Sequence, residues 1–321
     1  MRYALLLIVT LVSTSPCLGA DDYPARTVRV IVPYGPGGNT DIAARLISKQ
    51  LSEQLGKSFV VDNRPGATGT IGSTMVAKSA PDGYTIGLMD TSWSIVPSLY
   101  KSLPYYVLRD FVPITYFLRA ANVLVVRPSL NARTIKEFIA LAQANPGKFN
   151  FGSSGAGSPN HLNPELFKKA AKVNIVHIPF KAGAGATIIA LLGGEIDMLI
   201  SPVPPVLTHI MSGKMRALAV TTDGPRLPSL SDVPSMSEAG IPGMTSYYWA
   251  GLAGPADMPK EIVSKLQAEV VKAINVPAVR ERIVGLSAEP VVSSQDEFAK
   301  FVRAEVQRWG EVIKSAGITP E

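Results

Sequence analysis

Short β-branched segments recur along this chain, each running into a glycine- or serine-rich loop and then a helical stretch. That alternation constrains the fold more than any other feature. Val28-Arg29-Val30-Ile31-Val32 leads through Gly35-Pro36-Gly37-Gly38-Asn39-Thr40 into residues 41–55. There Ile42, Leu46, Ile47, Leu51 and Leu55 fall on one helical face, and Gly56 stands where a C-cap glycine belongs. Phe59-Val60-Val61-Asp62 leads through Gly66-Ala67-Thr68-Gly69 into residues 71–78, and Thr85-Ile86-Gly87-Leu88-Met89 runs into Thr91-Ser92-Trp93-Ser94. The grammar restarts at Asn122-Val123-Leu124-Val125-Val126 and continues through strands near 149–152, 175–179, 196–200 and 216–220. Strands alternating with helices predict an α/β chain with mainly parallel sheets flanked by helices.

With 321 residues, 46% of them hydrophobic, the chain exceeds one core and splits into two lobes. Asn122-Val123 and Tyr247-Tyr248-Trp249 open strands with similar local patterns and mark the expected crossings. Lobe 1 is then 21–122 plus 249–321, and lobe 2 is 123–248. The helices at 259–274 and 295–315 return to lobe 1.

The N-terminus carries an export signature. Arg2 precedes an apolar run at 4–12, and small residues follow up to Ala20. The run is too short for a permanent span, so residues 1–20 are expected to be a cleaved signal peptide. Cleavage there removes Cys17, the one cysteine, and with it disulfide and thiol chemistry. The net charge of +6 is scattered without a basic run, which argues against nucleic acid as a partner.

In open α/β sheets, ligands lie at the carboxyl ends of strands. Five small-residue loops stand there, at 35–40, 66–70, 91–94, 153–158 and 180–186. Glycine admits close backbone approach, and helix starts offer free N–H groups and partial positive charge, so such loops hold anions without arginine. The expected ligand contacts are Tyr34, Gly37, Gly38, Asn39, Thr40 and Asp41 in the first loop, and Ala67 and Thr68 in the second. Thr91, Ser92 and Trp93 come from the third. Ser153, Ser154, Gly157, Ser158 and His161 come from the fourth, and Phe180, Lys181, Gly183, Gly185 and Ala186 from the fifth. Trp249 stands at the second crossing. Each has a plainer alternative: Asp41 as a helix cap, the tryptophans as core, Lys181 as a solvated side chain.

Enzyme motifs are poor. Gly152-Ser153-Ser154-Gly155-Ala156 lacks the last glycine of a nucleophile elbow, and no phosphate or dinucleotide loop occurs. His161, His177 and His209 form no metal-spaced pair. No catalysis, cofactor or metal is expected. A hydrolase using Ser154 and His161 and a sensory receptor are the competing readings.

Several motifs together resemble the Bug-type extracytoplasmic receptors of tripartite tricarboxylate transporters. They are Tyr23-Pro24, Ile31-Val32-Pro33 with Pro36-Gly37-Gly38-Asn39-Thr40-Asp41, and Asn63-Arg64-Pro65-Gly66-Ala67. Further on come Ala80-Pro81-Asp82-Gly83-Tyr84-Thr85, Gly193-Gly194-Glu195-Ile196-Asp197 and Val233-Pro234-Ser235-Met236 with Glu238-Ala239-Gly240-Ile241-Pro242-Gly243. The ordered set spans essentially the whole chain after residue 20. The resemblance implies a type II periplasmic-binding-protein fold, two lobes with the ligand cleft between them. It implies capture of a small mono- or dicarboxylate in the periplasm; separately, a monomer is expected, and Trp93 and Trp249 hint at an aromatic acid. Delivery would be to a permease of one large and one small membrane subunit. The implied holding loops are 34–41, 153–158 and 181–186. Asn39 and Thr68 stand where the family commonly has glycine, which touches ligand identity rather than fold.

Overall fold

The computed structural model describes residues 22–180, 183–222, 224, 226–315 and 317–319. The expected leader and Lys181 lie outside them. In chain order the elements are β1 (Val28–Val32), α1 (Asn39–Leu55), β2 (Phe59–Asn63), α2 (Thr70–Ala77), β3 (Thr85–Asp90), α3 (Thr91–Leu99), β4 (Phe111–Val126) and α4 (Ile135–Ala144). Then come β5 (Asn150–Ser153), α5 (Pro159–Ala171), β6 (Val176–Pro179), α6 (Ala184–Gly193), β7 (Met198–Pro202), α7 (Leu207–Met211) and β8 (Arg216–Val220). The chain ends with β9 (Tyr247–Pro255), α8 (Lys260–Asn275), α9 (Pro277–Gly285), β10 (Ala288–Pro290) and α10 (Gln295–Ser315).

The strands form two sheets that share β4. The first runs β2-β1-β3-β9-β4, with β10 also on β4. The second carries β8 and β7 on the other half of β4, followed by β5 and β6. β1 is parallel to β2 and β3, and β5 is parallel to β6 and β7. β9 is antiparallel to β3 and β4, and β4 is antiparallel to β7, β8 and β10. The sheets are therefore mixed rather than mainly parallel. The sequence pattern missed the first half of β4. That 16-residue strand turns a simple crossover into an antiparallel tie, pairing with β9 as far as Ala121↔Tyr247 and with β7 from Asn122↔Pro202 onward.

Helices cover both faces of each sheet because each sheet is apolar on both sides. α1, α8 and α9 pack on one face of the first sheet through Ala44, Ile47, Leu266 and Ile283. α2, α3 and α10 cover the other through Val76, Trp93, Phe298 and Val302. In the second sheet Phe138 of α4 and Phe167 of α5 cover one face, and Ile188 and Leu191 of α6 cover the other. Gly56 ends α1 in the left-handed conformation at φ 65°, and its N–H donates to the Ser52 carbonyl.

Among the described contacts that connect the halves, two are buried. At the tie, the Asn122 amide donates to the Ser246 carbonyl (3.1 Å) and hydroxyl (3.0 Å), and the Thr221 hydroxyl donates to the Ser246 carbonyl (2.6 Å). Away from it, Leu162 of α5 is buried against Ile95 and Leu99 of α3 and Trp309 and Ile313 of α10, forming an apolar seam.

Candidate functional site

A cavity of about 740 Å³, its solvent-open part included, lies between the two sheets. Four helix N-termini reach it: Gly38, Asn39 and Thr40 at α1, Asp90 and Ser92 at α3, Pro159 and Asn160 at α5, and Gly183, Ala184 and Gly185 at α6. Tyr34 and Ser154 join from the preceding loops. Asn122, Ser201, Pro202 and Tyr248 come from the strands near the tie, and Ile188, Ile200 and Pro205 add apolar wall. Gly38, Ser158 and Gly183 hold the N-cap positions of α1, α5 and α6 and make no side-chain capping bond. Three helix tips thus carry no side-chain cap and keep their partial positive charge for a guest, with fewer N–H donors at α5, where Pro159 has none and the His161 N–H donates to the Ser158 carbonyl. No lysine, arginine or histidine lines the cavity among the described residues.

The fourth tip is different. Asp90 ends β3 and caps α3: its Oδ1 accepts from the Ser92 N–H at 2.9 Å and from the Tyr34 hydroxyl at 3.2 Å. Its Oδ2 accepts from the Thr40 hydroxyl at 2.6 Å, and Thr40 in turn accepts from Tyr248 at 3.5 Å. Burial pushes the Asp90 carboxyl up, against the opposing hydrogen bonds from Thr40, Ser92 and Tyr34. Burial, with the Asp90 charge second, raises the Tyr34 and Tyr248 hydroxyls well above the usual tyrosine value, so both act as neutral donors.

Of the residues expected at the ligand, the structure brings Tyr34, Gly38, Asn39, Thr40, Ser92, Ser154, Gly183 and Gly185 to the cavity wall. The other described residues of that set are not on the wall. Asp41 is buried in the first turn of α1, where its carboxylate accepts from the Gly37 N–H (3.0 Å), Arg45 Nε (2.9 Å) and Asn63 Nδ2 (3.0 Å). Burial alone would raise its pKa, but these partners hold it below the usual carboxylate range. Asp41 therefore fixes the 34–41 loop rather than facing a guest. Thr68 has a positive φ and bonds to Tyr34 and Tyr100, and it and Ala67 stay off the wall. Thr91 is buried, with its hydroxyl oxygen accepting from the Trp249 N–H.

Both tryptophans are core. Trp93 packs edge-on against Phe111 with centroids 5.1 Å apart, and Trp249 sits among Tyr116, Phe298 and Phe301. Neighbouring strand residues point to opposite faces, so the wall at the second crossing is Tyr248, one position earlier. Gly157 has φ 73°, and a Cβ there would collide with Leu99. It is a glycine because the apolar seam closes on it. Ser153, Ser158 and His161 support the 153–158 loop from behind. The Ser158 hydroxyl shares its one proton between the Gly155 carbonyl and Asn160 Oδ1, and the Gly157 N–H donates to His161 Nδ1 at 2.9 Å. Phe180 packs into the core of the second sheet beside α6, and the Ala186 N–H closes a turn onto Gly183. The sequence reading missed Asp90, Asn122, Asn160, Ile188, Ile200, Ser201, Pro202 and Tyr248. Asp90 alone carried a local signal, an Asp-Thr-Ser start ahead of an apolar run.

Helix tips from two sheets facing one cavity are the architecture of a solute receptor, and comparison with known proteins decides which kind. The sequence model of the tripartite tricarboxylate transporter family receptor, TctC, matches residues 43–318. The chain belongs to the TctC family. Protein BugT of Bordetella pertussis is 38% identical over 302 residues, covering 94% of this chain and 92% of that one. Among solved structures, R. palustris Rpa4515 with adipate is 36% identical, with a TM-score of 0.90 and coverage of 94% of this chain and 100% of that one. The periplasmic binding protein BugD is 34% identical, with a TM-score of 0.89 and coverage of 93% and 100%. The fold is thus the two-lobed α/β fold of type II periplasmic binding proteins.

TctC proteins are receptors, not enzymes, and the serine chemistry agrees. The Ser154 hydroxyl donates to Asn160 Oδ1 at 2.8 Å, while the His161 ring is held by Gly157. The Ser154–His161 pair of the hydrolase reading does not form. The Ser153 hydroxyl does meet His177 Nε2 at 2.5 Å, but Ser153 is fully buried and off the cavity wall.

Proposed function

We propose that this TctC receptor works as a monomer in the periplasm, where it captures a small organic mono- or dicarboxylate between its lobes and passes it to a membrane permease of one large and one small subunit. Residues 1–20 are the cleaved leader, and the lobes are 21–122 plus 249–321 and 123–248. The convergence of three uncapped helix N-termini from both sheets on one cavity carries this reading. A carboxylate at that point would take charge-assisted hydrogen bonds from main-chain amides. Adipate in Rpa4515 supports the carboxylate class. A ring-bearing acid would pack on Tyr34 and Tyr248, since the tryptophans are elsewhere.

The reading is tested by thermal-shift and calorimetric screening against mono-, di- and tricarboxylates and aromatic acids. A ligand at 100 times its Kd adds about 2.7 kcal/mol of stability and raises the melting temperature accordingly. An unchanged melting temperature with every acid would sink the receptor reading.

Gly38→Val probes the α1 tip. Gly38 has φ −84°, and a Cβ there meets no atom within 4 Å. Valine is therefore expected to leave the melting temperature nearly unchanged while weakening carboxylate binding by about two orders of magnitude, the loss of one or two charge-assisted hydrogen bonds. Normal affinity in that variant would move the anion away from α1.

A further inference from the structure

The tip of α5 is poor in main-chain donors. Pro159 has no N–H, and the N–H groups of His161 and Leu162 donate to the Ser158 carbonyl at 2.8 and 2.9 Å. In that first turn only the Asn160 N–H is left without a main-chain acceptor among the described residues. The Asn160 side chain changes this picture. Its Oδ1 accepts from the Ser154 N–H at 3.1 Å, and the Ser154 and Ser158 hydroxyls each lie 2.8 Å from it. A main-chain N–H only donates, so the atom facing it is the oxygen, and the orientation of the carboxamide is fixed. Nδ2, on the other arm of the planar group, meets no acceptor among the described residues. Asn160 is 8% exposed and lies on the cavity wall. With its oxygen taken up by Ser154 and Ser158, the NH2 is the polar group that it turns to the cavity.

We infer that Asn160 binds the guest: its side-chain NH2 donates to a carboxylate oxygen and, with its own main-chain N–H, supplies the donors that the α5 tip otherwise lacks. This rests on the receptor reading and deepens it, by naming a side chain where that reading uses main-chain amides. The group is neutral and offers donors alone. It suits a carboxylate oxygen, whereas an ammonium would find no acceptor there. Ser154 and Ser158 act as positioning residues, since they hold the carboxamide in one orientation.

The experiment is calorimetric titration of the native protein and Asn160→Asp. The probes are butanoate, hexanoate, succinate, glutarate and adipate, or the tightest other acid of the screen above if none of these binds. Aspartate keeps an oxygen for Ser154 and Ser158, and an acidic side chain suits the first turn of a helix, so the melting temperature is expected to hold. Its second oxygen stands where the NH2 was and meets the guest as a like charge. Affinity for the tightest probe is expected to fall by about 100-fold. In the native protein the Asn160 side-chain amide protons, assigned by triple-resonance NMR, are expected to move downfield as that probe saturates the site. Native affinity in Asn160→Asp would confine Asn160 to holding the loop, overturning the inference and leaving the receptor reading standing. Amide protons that stay in place at saturation overturn it as well, whether the variant is weakened or unfolded, because charge repulsion acts without contact. Failure of every acid to bind the native protein overturns the receptor reading and this inference together.

Discussion

Trp249→Ala is expected to destabilise the fold by about 3–5 kcal/mol, the cost of emptying a well-packed aromatic site. The side chain is 1% exposed and meets the rings of Tyr116, Phe298 and Phe301 at centroid distances of 5.5–6.4 Å. It therefore ties β9 to β4 and α10 on the side of the sheet away from the cavity. Denaturant unfolding of the native and variant proteins gives the stability difference. Ligand affinity, measured at low temperature where the variant remains folded, is expected to stay within about threefold of native, as for sites that share no partner. A variant with native stability and lost binding would return Trp249 to the ligand.

Acid should act through the two stacked histidines behind the 153–158 loop. Their rings lie 4.0 Å apart, with Phe151 on the same stack, and Glu165 and Lys168 of α5 are the charged groups facing them. Burial, then the Lys168 charge, pushes His161 down to about 4. Burial, then His161, pushes His177 down to about 4, with Glu165 opposing. Both rings are thus neutral in the folded protein and would charge near 6.5 once unfolded. Between those values the unfolded chain holds more protons, so stability is full above pH 6.5 and falls as the pH drops towards 4. The loss is on the order of 3 kcal/mol for the pair, allowing for solvent screening at the half-buried His177. Unfolding free energies measured across that window should show this slope, and His161→Gln with His177→Gln should flatten it. Asp41 and Asp62, held below the usual range, lose their contribution only on further acidification, below the ordinary carboxylate value of 3.8. A stability flat from pH 6.5 to 4 would mean that the histidines titrate normally in the folded state.

Most strands and helices were legible because their periodicities are local. β1, α1, β2 and β3 end within a few residues of where apolar spacing and capping place them. The first half of β4 was not. Phe111-Val112-Pro113 looks unlike a central strand because of its proline, and its pairing comes from β9, more than 120 residues away. The loops of the site were legible for the same local reason, since helix starts after glycine announce their free amides. What could not be read was direction. Tyr248 and Trp249 differ by one position, and only the register of β9 says which faces the cavity. Asn122, Ile200 and Ser201 reach the wall through the meeting of two sheets, and no window of sequence contains that meeting. Gly157 looked like a backbone donor, but its requirement for glycine comes from Leu99 across the seam.

That seam bears on how long a guest stays. Leu162 on one side and Leu99, Trp309 and Ile313 on the other meet across the two halves, so any movement that parts the halves here wets apolar surface. A dwell time limited by such a movement would be governed by side chains off the cavity wall. Escape should quicken on cooling relative to a mouth closed by ion pairs, because apolar adhesion weakens in the cold.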